Sequence, residues 1–183
     1  MITRTDYENA QRRAKELLCQ TGIFIRPEEL EKIEVADLGL SELELSGVQI
    51  LTLVNTEKIG VKLLIIFPNQ CEPEHKHPSL GEYAGKEETF RCEWGTLFLY
   101  GVGEPSKHPK GHPPEHRKAT YTVWHEYILE PGEQVTFPPN LPHWFQAGPH
   151  GAVVWSFSTK AIDLRDVFTD TNVKRQTMIL DSD

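Results

Sequence analysis

The 183-residue chain has little cysteine, no long apolar run and a deficit of positive charge, and each shortage removes a class of function. Cys19, Cys71 and Cys92 are odd in number and show no CxxC spacing, so neither a disulfide framework nor a zinc ribbon is expected and all three read as reduced thiols. No stretch approaches the roughly 20 apolar residues of a membrane helix. The opening MITRTDYENAQRR is charged where a secretory signal requires an apolar run, so no membrane association and a cytoplasmic location are expected. With 19 Lys and Arg against 27 Asp and Glu, the net charge of -8 argues against a nucleic-acid partner, because phosphate binding needs clustered cations. A small neutral substrate is indifferent to that balance. Internal repeats and long linkers are also missing, which predicts one domain: a helical extension over 1–46, a β-rich body over 47–160 and a C-terminal segment over 161–183.

What is present sorts by periodicity. Thr5 with Glu8 forms a capping box, and Tyr7, Ala10, Ala14, Leu17 and Leu18 follow at near-helical spacing, predicting an amphipathic helix that ends at Gly22. Pro27 with Glu28, Glu29 and Glu31 predicts a second, short helix. From residue 47 the texture becomes that of strands: VQILTLVNT, GVKLLIIF, EETFRCEWG, TLFLYGVG, ATYTVWHEYILE, EQVTFPP and AVVWSFST, separated by Gly, Pro and Asn. That spacing fits an antiparallel barrel or sandwich. Residues 104–118 hold four prolines among polar residues and read as a long loop. His108, His112 and His116 recur every four residues there, but the prolines forbid the helix that would align them. IDLRDVFTDTNVKRQ reads as a turn or short helix.

The informative stretch is EHKHPSLGEYAGKEETFRCEWG. Alternate residues of a strand share a face, so His75 and His77 can both bring an imidazole nitrogen to about 2 Å from one ion. Past the Gly81–Gly85 turn, Glu88 heads a strand whose Lys86, Glu88, Phe90 and Cys92 share one face. His143 follows a proline-rich turn in PGEQVTFPPNLPHWFQAG. Three imidazoles and a carboxylate suit Mn, Fe, Co, Ni or Zn, and four protein ligands leave coordination positions open for substrate.

The order and spacing of these residues resemble the two cupin motifs: an HxH, a Glu and then Gly95, followed by Gly132, Pro138 and His143. Asn140 and Ala147 stand where a Gly and an Asn are common. The phrases EHKHP, GKEETFRCEWG, LYGVGE, YTVWHE, FPPNLPHWFQAG with GAVV, and DVFTD resemble, more specifically, the D-lyxose isomerase family of cupins. The resemblance implies a mainly β, cupin (RmlC-like jelly-roll) barrel with N-terminal helices. It further implies one metal ion, typically manganese, on His75, His77, Glu88 and His143, sugar substrates such as D-lyxose and D-mannose, and a homodimer. One position departs: Trp155 and Ser156 stand where the family commonly presents a Glu near the metal.

Aldose–ketose isomerisation moves a hydrogen between C1 and C2, so a metal needs an acid/base beside it. Lys86, on the face of Glu88, is one candidate, with a pKa expected to be pushed down by the neighbouring cation. Asp166, in the acidic C-terminal segment, is another. Lys62, Glu74, Tyr121, Trp124 and His125 are candidate sugar contacts, since sugar pockets combine polar groups with aromatic walls. Arg91 has the opposite parity to Glu88 and should leave the interior for an ion pair. Trp144, Phe145 and Trp155 read as core or dimer contacts. Competing readings on the same metal site are a sugar-sensing cupin without turnover, a phosphosugar isomerase and an iron oxygenase.

Overall fold

A computed structural model describes residues 1–180. The chain runs β1 (Ile2–Thr3), α1 (Arg4–Cys19), α2 (Pro27–Leu30), β2 (Glu34–Ala36), β3 (Val48–Asn55), β4 (Gly60–Ile66), β5 (Cys71–Lys76), β6 (Glu88–Gly101), β7 (His125–Leu129), β8 (Gln134–Phe137), β9 (His143–Ser158), β10 (Val167–Phe168) and β11 (Ile179–Leu180). Two long strands, β6 and β9, organise the rest. They pair antiparallel along most of their length, from Glu88 opposite Ser158 to Tyr100 opposite Trp144. On its other edge β9 takes β5 along its first half and β4 along its second. The sheet then continues outward as β4–β3–β2 on one side and β5–β10 on the other. Because one strand feeds both arms, the sheet curls into a barrel.

The period-2 alternation of these strands builds two cores. In β4, Leu64 and Ile66 face the barrel lumen with Ile50, Phe90, Leu97, Phe145 and Val154. Leu63 and Ile65 face the other way, meeting Leu51, Val153 and the apolar stripe Ala10, Ala14 and Leu18 of α1. The helix thus seals the back of the sheet, as its spacing required.

Several boundaries differ from expectation. Helix α1 starts two residues early, because Thr3 rather than Thr5 is the N-cap: its Oγ1 accepts from the Asp6 N–H at 3.1 Å. EETFRCEWG and TLFLYGVG are one strand, and the apolar strand after residue 150 is continuous with His143. Gly95 explains the first merger. It sits at φ +76° where a Cβ would lie 2.1 Å from the Gly151 carbonyl oxygen, so the chain bends there without breaking. The segment before His125 is not strand: residues Glu115–Thr120 form a 3₁₀ turn, which ends the proline-rich loop. That loop is anchored, with His112 N donating to Gln146 Oε1 at 2.6 Å and His116 Nε2 lying 2.8 Å from Glu42 Oε2. The C-terminal segment makes a short 3₁₀ turn at Asp163–Arg165 and then crosses the end of the barrel, tied by Thr169 N to Glu74 O and by Lys174 N to Leu38 O. No helix among the described residues is long and apolar enough to cross a membrane.

Gly95→Ala should cost about 3 kcal/mol or more, since it adds both a left-handed strain and a backbone overlap. Urea unfolding should show a lower midpoint at unchanged slope.

Candidate metal centre and its cavity

β5 and β9 pair so that His75 lies opposite His143, and His77 follows one residue past the end of β5 with its ring beside the other two. The three rings pack with centroids 4.5–5.0 Å apart, all buried, and one nitrogen of each lies within 4.8 Å of the others. What aims them is the other nitrogen. His75 Nδ1 is 2.9 Å from the Pro73 carbonyl and His143 Nδ1 is 2.9 Å from the Leu141 carbonyl, so each must donate there. Their Nε2 atoms are left as lone pairs pointing into the barrel. His77 Nδ1 meets Asp166 Oδ1 at 2.7 Å, a carboxylate–imidazole pair of the kind that orients metal ligands.

Electrostatics leaves two of the three rings as neutral donors, and metal binding at the third would displace a proton. Burial, with the neighbouring rings, holds His75 well below its usual value and pushes His143 down to about 3. Burial and the Lys86 ammonium oppose protonation of His77, but Asp166 and Glu88 outweigh them and hold it high. His143 Nε2 is sealed from solvent without a hydrogen-bond partner among the described residues. An orphaned buried acceptor facing two other imidazoles is costly unless an ion satisfies it, so the donor set fits a divalent metal. Phe90 and Phe137 pack on His143, and Phe168 on His75, which keeps the rings from turning.

Glu88 stands beside this triad. Its Oε2 is 3.0 Å from His77 Nε2 and 2.8 Å from Lys86 Nζ, and its Oε1 accepts from the Ser156 hydroxyl. Burial opposes its ionisation, but Lys86 and His77 keep its carboxyl well below the usual range. Lys86 departs from expectation: burial alone would lower it, yet Glu88, Asp163 and Asp166 hold its ammonium above the ordinary value. Asn140 adopts φ +67°, which explains how it serves where a glycine is common. Its backbone N–H donates to His77 O, and its side chain bonds Ser79 N and Oγ, fixing the loop that leaves the HxH strand.

Behind the triad lies a small cavity of about 40 Å³, lined by Val48, Ile50, Leu64, Phe90 and Phe145 together with polar groups including Lys62, Glu72, Asp163 and Arg175. Of the expected sugar contacts only Lys62 reaches it, where it pairs with Asp163. Glu74 does not. Its carboxylate faces away from His75 and accepts from Val123 N, Thr122 Oγ1 and Thr169 Oγ1, clamping the loop and the C-terminal segment together. Tyr121 and Trp124 pack instead against Trp144 and Tyr100 on the opposite face of β9. His125 Nδ1 bonds the Glu104 carbonyl. Arg91 does point outward, but to the Gly132 carbonyl and the Gln134 amide rather than to a carboxylate. Glu72, Asp163 and Arg175 were not among the expected site residues. A bulge between Glu72 and His75 turns Glu72 onto the ligand face, and Pro73 inside the strand is the signal for it.

No family model matches the chain. Among curated proteins it is 50% identical to the D-lyxose ketol-isomerase of Thermofilum sp. (strain ex4484_79), over 96% of this chain and 97% of that one. It is 47% identical to the D-lyxose ketol-isomerase of Cohnella laeviribosi, over 96% of each. The chain belongs to the D-lyxose isomerase family. Solved structures extend the likeness at the level of fold. Cellulomonas parahominis L-ribose isomerase without ligand superposes with a TM-score of 0.81 at 18% identity, over 98% of both chains. Acinetobacter sp. DL28 L-ribose isomerase in complex with L-ribose gives 0.79 at 16%, also over 98% of both. The curled antiparallel sheet of this family member is therefore the cupin barrel of sugar isomerases.

Asp166→Asn should weaken metal binding about 10–100-fold while leaving the fold intact, because the imidazole loses its orienting anion. Competition titration against a chromogenic chelator reads this. His143→Ala should abolish stoichiometric metal uptake altogether.

Proposed function

We propose that the protein is a metal-dependent aldose–ketose isomerase for unphosphorylated sugars, interconverting D-lyxose and D-xylulose and also acting on D-mannose and D-fructose. The observation that carries this is the convergence of three buried imidazoles, one nitrogen of each within 4.8 Å of the others, in a chain about half identical to D-lyxose ketol-isomerases along nearly its whole length.

In this reading His75, His77, His143 and Glu88 hold one divalent ion, for which manganese is the first choice on the family likeness. When bound, it supplies Lewis-acid stabilisation to the oxygens on C1 and C2 as negative charge develops there. The remaining work falls to the protein. Lys86 presents an ammonium beside Glu88 and is assigned the stabilisation of the same developing charge by donating a hydrogen bond to a substrate oxygen. Asp166 acts through His77, so it is a positioning residue rather than a proton carrier. Ser156 holds Glu88 from the far side, which fixes the carboxylate between a hydroxyl and an ammonium. The apolar wall of Phe90, Phe145 and Leu64 excludes water from the reacting carbons.

A phosphosugar reading is disfavoured by pairing: Lys62, Lys86 and Arg175 each already face a carboxylate, which leaves no cationic cradle for a phosphate. A homodimer in the cytoplasm completes the proposal, on the family likeness and the sequence reading respectively. Incubation with manganese and D-lyxose should yield D-xylulose, and chelation should stop turnover until metal is restored. Lys86→Met should lower kcat about 100-fold or more with metal retained. Absence of ketose from the metal-loaded protein would overturn the proposal.

A further inference from the structure

The charged groups around the cavity are almost all spoken for. Lys62 pairs with Asp163, Lys86 with Glu88, Asp166 with His77 and Arg175 with Glu34. Glu72 stands apart. It is 6% exposed, and its Oε2 is sealed from solvent without a hydrogen-bond partner among the described residues. Asp163 also leaves one oxygen, Oδ1, unbonded, but its other oxygen is on Lys62. A carboxyl group buried with unused bonding capacity destabilises a fold, so its place in a cavity wall calls for a ligand that satisfies it.

Its position says which part of a ligand that is. The bulge on β5 sets His75 opposite His143 and Glu72 opposite Phe145, so Glu72 lies one rung deeper into the barrel than the triad, on the same face. The walls around it mix Val48, Ile50, Leu64 and Phe145, which cannot bond a hydroxyl, with Lys62, Asp163 and Arg175, which are already engaged in ion pairs. Resting on the isomerase reading above, we infer that Glu72 recognises the tail hydroxyls of the sugar, those on the carbons remote from the carbonyl end, and so sets the preference for a fully hydroxylated chain. A sugar whose C1 and C2 oxygens are held at the triad and whose carbons follow the cavity inward brings those hydroxyls to it. Burial raises the Glu72 carboxyl to about 8, against the opposing pull of Arg175, so near neutral pH it both donates and accepts hydrogen bonds. A site of this kind rejects an analogue that lacks the hydroxyl, because the buried group is again left unpaired.

The test uses the metal-loaded full chain, Glu72→Leu, Glu72→Gln and four probes: D-lyxose, its 4-deoxy and 5-deoxy analogues, and the unreactive polyol obtained by reducing D-lyxose. Wild-type protein should prefer D-lyxose over at least one deoxy analogue by about 100-fold or more in kcat/KM. Glu72→Leu should shrink that preference to about 3-fold, chiefly through KM, with metal stoichiometry unchanged and Tm raised by about 2–6 °C as the buried carboxyl is removed. Glu72→Gln, which keeps a donor and an acceptor, should retain part of the preference and guards against a folding failure of the Leu variant. Unchanged discrimination in both variants, or a loss confined to kcat, would overturn the inference. Calorimetric binding of the polyol separates it from the isomerase reading. Weakened polyol binding in Glu72→Leu supports the role of Glu72 even if D-lyxose is not turned over, and equal binding refutes it even if D-lyxose is.

Discussion

Three imidazoles turned toward one point form an arrangement the chain must be forced to adopt. Their inward nitrogens face one another in a space shielded from water; His77 Nε2 finds Glu88, but His143 Nε2 forfeits the hydrogen bond that solvent would have given it. The fold answers by committing the opposite nitrogen of every ring: two to backbone carbonyls two residues back along the chain, the third to Asp166. Those bonds work only if the strands carrying them are rigid, and the double pairing of β9 provides the rigidity. His143 is thereby locked against β5 on one edge, the far half of the same strand anchors β4 on that edge, and β6 runs along the other. Even the helix packed on the back of the sheet contributes, because Leu63, Ile65 and Val153 beneath it fix the strands whose inner faces line the cavity.

How much of this could be read from the sequence depended on whether strand parity held. It held for His75 and His77, for Lys86 with Glu88 and Phe90, and for Arg91, all of which lie in a strand or within two residues of one. It failed at Pro73, where one extra residue shifts the phase: Glu72 joins the ligand face. Glu74 stayed on the outer face that alternation from His75 assigns it, so proximity to the motif was misleading there. Tyr121, Trp124 and His125 were misplaced for a different reason. Aromatic residues near a motif suit a sugar pocket and a second apolar cluster equally well in composition, and only the pairing of β9 reveals that Trp144 faces away from His143 and gathers them there. Arg175 and Asp163 were beyond sequence reasoning because they reach the cavity by tertiary docking of a segment with no periodic signal.

Ser156 takes on a new meaning in this setting. In the family wording it stands where a Glu is common; in the structure it is a hydrogen-bond donor that completes the environment of Glu88, opposite Lys86. The short residue also leaves volume in the lumen beside Phe90 that a longer side chain would fill, since the two lie opposite one another in the β6–β9 ladder. Departures from a motif can thus change the size and polarity of a cavity without touching its ligands.

The Asp166–His77 bond joins residues 89 positions apart, and the ligands themselves are complete by residue 143. During synthesis, then, a chain that has emerged only as far as β9 already owns every proposed donor atom but not the anion that turns the second imidazole. Full orientation of the second imidazole therefore waits until the segment carrying Asp166 docks across the barrel mouth.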